Sequence, residues 1–210
     1  MSSYHYIGSV SDNKDPDGLN RIRVSILGET DSVTGWIPFL SMYAGDGTGL
    51  TLLPEIDSQV MVISLDENNI QQVAIGGIWS NADPPPETEE NAEADLNQDG
   101  ENNLRFLKSR SGTQIIFDDT EGQEKIQILS SDKKSRFEFL LAEELVSLTT
   151  ENDLTIGAKK TVSIQAEEVE IVGKKKISFD VEELQISAKK TLDVDIDKDL
   201  GIDGSGISFN

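Results

Sequence analysis

The chain has 210 residues, enough for one large domain or two small ones, and 39 acidic against 18 basic side chains leave a formal charge of −21. A surface that negative repels phosphate and excludes nucleic acid as a partner. The lack of cysteine removes disulfides, thiolate metal sites and cysteine nucleophiles, and a single histidine, His5, leaves little for a histidine-based catalytic or zinc centre.

From the N-terminus, MSSYHYIGSV lacks the basic and apolar regions of a signal peptide, which predicts assembly in the cytoplasm. Nowhere does a run of about 18 apolar residues offer a membrane-spanning helix. YHYIGSV, RIRVSIL, WIPFL, QVMVISL and VAIGGIW are short runs rich in β-branched and aromatic residues, separated by the turn sequences DNKDPDG, AGDGTG and DENN. Five short strands punctuated in this way predict a small barrel. Between Asp83 and Glu101 stand eight acids, no bases and the run Pro84, Pro85, Pro86. That composition cannot bury a core and predicts a linker, stiff at its start and flexible beyond.

After the linker a repeat takes over. Apolar–x–apolar triplets start at Ile126, Phe137, Val146, Leu154, Val162, Val169, Ile177, Leu184, Leu192, Leu200 and Ile207. The seven steps from Leu154 to Ile207 cover 53 residues, about 7.6 each. Such triplets are strand alternation with both apolar side chains facing inward. This predicts an axial core of Val162, Ile164, Val169, Ile171, Ile177, Phe179, Leu184 and Ile186. Between triplets lie charged corners: Lys159 and Lys160, Lys174 and Lys175, Lys189 and Lys190, offset by Glu167 and Glu168 and by Glu182 and Glu183.

A unit of this length supplies one short strand and one corner, and three units close a triangular coil. Single-chain left-handed β-helices, including transferases built on them, use a six-residue unit. The longer unit here suits three chains wound around one axis, each strand pairing with the other two chains so that no long edge is exposed. Alternating Lys and Glu corners place opposite charges on adjacent rungs. Each pair is worth only about 0–1 kcal/mol, so their expected contribution is register.

In these features the chain resembles a known family, the contractile-tail spikes typified by phage baseplate assembly protein V and the VgrG-like spikes. The resemblance rests on Tyr6, Gly8 and Val10; Asp12, Asn13, Lys14, Asp15 and Pro16; Arg21 to Val24; Trp36 and Pro38; Ala44 and Gly45; Leu53, Pro54 and Glu55; and Gly76 to Trp79 before the prolines. Arg110 to Thr113 followed by Ile116 to Asp119 resembles the segment where such spikes enter their needle. Asn20 stands where a glycine usually precedes the arginine, and Ile56, Asp57 and Ser58 replace the usual Val-Gly-Asp; both departures fall in turns.

The resemblance implies an all-β chain: an OB-fold collar over residues 1–82, the acidic linker over 83–103, and an intertwined trimeric triple-stranded β-helix over 104–210. It further implies the central spike of a phage tail or contractile injection particle, located in the baseplate and piercing the target envelope when the sheath contracts. The implied partners are two further copies in a homotrimer, a trimeric hub protein, the tail tube above it, the target membrane in passing, and a small PAAR-type tip protein docked at Gly206, Ile207 and Phe209. Related short spikes often carry a His-x-His pair that binds iron near the tip. This chain has no histidine after His5, so no tip metal is expected. The alternative is a trimeric β-solenoid tailspike that binds or cleaves surface polysaccharide; it requires long insertions between rungs, which the steady spacing does not leave room for.

The remaining candidate sites have structural explanations. Asn13, Asp15, Asp17 and Gly18, and again Asp95, Asn97, Asp99 and Gly100, imitate calcium loops, but Val24 and Phe106 occupy the position of the bidentate glutamate. They are expected to be a hairpin turn and linker. Asp118 with Asp119, and Asp193 with Asp195, imitate glycosidase carboxylates, yet a thin rod offers no cleft. Asp193, Asp195 and Asp197 alternate with Leu192, Val194 and Ile196, the pattern of a solvated strand face. His5 is expected to point outward. No catalytic residue, cofactor or metal is expected.

Overall fold

Burial along the N-terminal strands follows the alternation of their sequence. The computed structural model describes residues 5–29, 32–66, 68, 70–87 and 100–206. β1 (His5–Asp12) buries Gly8 and Val10, β2 (Arg21–Ile26) buries Ile22 and Val24, and Ile37 of β3 (Ile37–Pro38) joins them. A two-residue ladder, β4 (Ala44–Gly45) with β5 (Thr48–Gly49), stands outside this set. β6 (Gln59–Ser64) adds Val60 and Val62, and β7 (Gln72–Ile78) adds Ala74.

The sheet order is β3-β2-β1-β6-β7. A parallel bridge from Phe39, just after β3, to Ala74 of β7 closes it, with the Leu40 amide donating to the Ala74 carbonyl at 2.8 Å. Antiparallel neighbours with one parallel closure make the five-stranded OB barrel expected for this region. Its core is Val10, Ile22, Val24, Ile37, Val60, Val62 and Ala74, with Tyr6, Phe39 and Leu53 packed at its edge. Gly8 is required where β1 crosses β2, since a Cβ there would lie 2.2 Å from Val24 Cγ1 and 2.7 Å from the Ser25 carbonyl oxygen. The two departures from the family pattern have a shared explanation. Asn20 and Asp57 are left-handed, at φ 55° and 70°, and Asn and Asp are the side chains that tolerate the conformation a glycine would supply.

Beyond the acidic linker, β8 (Leu104–Lys108), β9 (Gln114–Asp118), β10 (Lys125–Leu129), β11 (Ser135–Leu140) and β12 (Leu145–Thr150) form an antiparallel meander in simple chain order. Each of its four reversals contains a left-handed residue: Gly112, Gly122, Lys133 and Glu144. The register builds two cross-strand rows on one face. Leu107, Ile115, Ile128, Phe137 and Leu148 form the first, and Arg105, Phe117, Ile126, Phe139 and Val146 the second. The opposite face holds the fully buried Ile116 and Leu129 among Gln114, Asp118 and Gln127, which are also buried.

These five strands correct the expectation that, over 104–210, each strand pairs with the other two chains. β10, β11 and β12 are all paired within one chain. The triplets at Ile126, Phe137 and Val146 stand on the meander's more open face, not on the face that a single chain buries. Lys108 Nζ donates to the Glu87 carbonyl at 2.8 Å, and Arg110 meets Glu55 of the barrel at 3.1 Å. The second contact is highly exposed on both sides and contributes about 0–1 kcal/mol.

The chain divides into two compact units, Met1–Leu154 and Thr155–Asn210. Among its described residues, Thr155–Gly206 contains no strand and makes no hydrogen bond within the chain. Apart from one at Ser205, backbone bends fall at 159–160, 167, 174–175, 182, 189–190 and 197–198. These are the charged corners expected from the repeat, joined by one at Asp197 and Lys198.

Candidate functional site

The apolar triplets expected to line an axis lie between the backbone bends. In each triplet from Leu154 to Leu192 the first apolar residue is 49–61% exposed and the second 64–71%. This two-step pattern recurs through those six triplets and ends at Leu200 and Ile202, which are equally exposed. All eight residues expected to line the axis, Val162, Ile164, Val169, Ile171, Ile177, Phe179, Leu184 and Ile186, belong to this series, and within one chain each is at least 49% exposed. Holding one residue in a single backbone conformation costs about 1–2 kcal/mol, and between Thr155 and Gly206 no hydrogen bond or buried side chain within the chain offsets it.

Charge is spread along this unit with a change of character. Lysine pairs sit at three bends and glutamates at the two between them, whereas Asp193, Asp195, Asp197, Asp199 and Asp203 come after them with only Lys198 in their midst. Asp193, Asp195 and Asp197 are exposed, and so are Leu192, Val194 and Ile196 that alternate with them. Gly206 is exposed, while Ile207 and Phe209 of the expected tip contact lie outside the described residues.

The barrel carries the first imitation calcium loop, and its geometry turns that loop into a clamp. Asp15 accepts from the amides of Asp17, Leu19 and Arg21 and from both Nε and an Nη of Arg21, which also pairs with Asp17. The Arg21 guanidinium, ahead of the amide donors, holds the Asp15 carboxyl well below the usual carboxylate range. Both carboxylate oxygens are taken, so the turn is a hairpin lock built around an internal cation. Asp95, Asn97 and Asp99 of the second imitation lie outside the described residues.

The acidic pair after β9 is also accounted for. Asp118 lies 3.6 Å from Lys125 on the next strand and accepts from the amide and hydroxyl of Thr120, while Asp119 pairs with Arg105 at 2.5 Å. Each carboxylate has its own cation, which is a cross-strand arrangement. His5 is exposed on β1, as expected.

Two features escape a reading of the sequence. One is a groove of about 570 Å³ on the barrel, lined in part by Leu19, Leu40, Met42, Tyr43, Leu50 and Leu52 around the β4–β5 ladder. Its signal was available, because these apolar residues flank a glycine-rich turn with no strand to bury them. The other is the polar set inside the meander. Gln127 donates to Glu138 at 2.6 Å, and neither the Gln114 nor the Gln127 Oε1 finds a protein partner. Nothing in the sequence separates these glutamines from exposed ones.

No curated protein matches the chain. Residues 6–79, from the first barrel strand to the tryptophan after the last, match the family described as the Type VI secretion system/phage-baseplate injector OB domain. The N-terminal barrel is therefore similar, over its full length, to the OB domain of phage-baseplate and Type VI secretion injectors.

Proposed function

We propose that this protein is the central spike of a contractile injection machine or phage tail, working as a homotrimer that pierces the target envelope when the sheath contracts. The observation that carries this reading is the combination of an injector-type OB barrel with a second unit that one chain leaves unpaired. An extended segment with apolar triplets open to solvent and no hydrogen bonds of its own requires other strands beside it. Three intertwined copies supply them, bury the eight axial residues and place each strand between two partners. The resulting needle carries axial load, because separating one chain breaks pairs with both others.

In this reading the work is mechanical, with no catalytic residue, cofactor or metal. The barrels form a collar that docks on a trimeric hub below the tail tube, and the needle meets the target membrane only in passing. A small tip protein contacts the rungs that include Gly206, Ile207 and Phe209. The exposure of Leu200 and Ile202 just before them supports an apolar surface continuing in that direction.

Native mass spectrometry of the purified protein tests the reading. An assembly of three 23.0 kDa chains is expected; a stable single chain at micromolar concentration would overturn it.

A further inference from the structure

The meander is the part of the repeat region whose strands pair within one chain, yet it leaves a broad apolar face uncovered. Seven apolar side chains of the two cross-strand rows are between 38% (Ile115) and 59% (Val146) exposed. Together they leave on the order of 600 Å² of accessible surface per chain, taking about 150–250 Å² for a large side chain. That approaches the ~800 Å² per partner of a standard interface and exceeds what scattered surface residues produce.

The face also suits a partner of the same charge. Its one charged member, Arg105, is engaged by Asp119 at 2.5 Å, so a chain of −21 presents here a nearly neutral window. Finally, the triplets on this face, Ile126 with Ile128 and Val146 with Leu148, belong to the series that runs on through Leu154 and Val162. Copies of this chain match both stretches, since each brings the same triplets in the same order.

We propose that the meander's apolar face is where copies of this chain first associate, and that this contact sets the register in which the later segments intertwine. The inference rests on the homotrimer reading above. Its physical basis is an asymmetry in cost. The meander consists of sequential hairpins, local contacts that form ahead of pairings between distant or separate strands. The segment after Leu154 gains nothing until other chains are present. Once the meanders have met, the remaining segments are held at the high effective concentration of an intramolecular step.

The test compares the same truncation in the two stretches of the full-length protein. Ile128→Ala removes a side chain from the meander face and Ile164→Ala one from the later series; Leu148→Ala provides a second meander variant should Ile128→Ala fail to fold. Each protein is diluted from denaturant and trimer formation is tracked by native mass spectrometry. Ile128→Ala is expected to slow assembly at least fivefold. Ile164→Ala is expected to leave the assembly rate within twofold of the parent and to accelerate dissociation. Equal slowing by both, or greater slowing by Ile164→Ala, overturns the order proposed here while leaving the trimer intact. A parent that stays a single chain overturns the homotrimer reading itself, and this inference with it.

Discussion

Leu104–Thr150 and Thr155–Gly206 share an apolar–x–apolar rhythm, yet one closes its hydrogen bonds within a single chain and the other closes none. The difference lies in the connections. Every reversal of the meander has a left-handed residue, and after Glu144 no described residue has one. Tight hairpins favour such a residue for bringing the chain back beside itself. The lysine and glutamate corners of the later unit bend the chain, and no segment between them pairs with another. Inward patterning thus states that a strand has an apolar side; the corner decides whether its neighbour comes from the same chain.

The strongest test of this contrast is Ile164→Asp. In the proposed trimer it places three carboxylates in an apolar axis and is expected to cost several kcal/mol per assembly, seen as a loss of the trimer or a fall in Tm of more than about 10 °C. A variant melting within a few degrees of the parent would show that Ile164 does not face the axis.

A smaller effect is expected from Gly122→Val at the β9–β10 reversal. Nothing lies within 4 Å of the position a Cβ would take, but φ is +73°. The penalty is therefore one of backbone conformation, about 1–2 kcal/mol, measurable by chemical denaturation as a lower midpoint. The same glycine-to-valine change at Gly157, where φ is not positive, is expected to cost less through the backbone.

The smallest effect concerns the corners. Lys174→Glu combined with Lys175→Glu sets like charges against the glutamate corners and is expected to cost about 1 kcal/mol or less per contact. The loss should shrink as salt rises from about 0.05 to 0.5 M, because exposed pairs are screened. A salt-independent loss would mean that these lysines act through packing of their aliphatic stems.

The five barrel strands were legible because each pairs β-branched alternation with a turn signal at both ends, as in Arg21–Ile26 after the Asp-Pro-Asp-Gly turn. The bends of the later unit were legible because its corners repeat in charge. The β4–β5 ladder was not, since two-residue strands leave no periodicity. Nor was the meander, for a specific reason: two of its four reversals use Lys133 and Glu144 in the left-handed region, where neither residue type announces itself. The burial of Gln114 and Gln127 was equally hidden, because the face that one chain buries is the less apolar of the two.

The order of these regions along the chain bears on how the protein is made. The barrel and the meander leave the ribosome before Thr155, and each can form its own strand pairs while synthesis continues at about 5–20 residues per second. Among the described residues, the segment beyond Leu154 emerges without a strand partner in its own chain. Its apolar triplets are open to solvent as the chain emerges, the stage when exposed strands are most prone to wrong associations. The charged corners placed every seven or eight residues then act as gatekeepers for the unfinished polypeptide, protecting it before they can contribute to any finished rung.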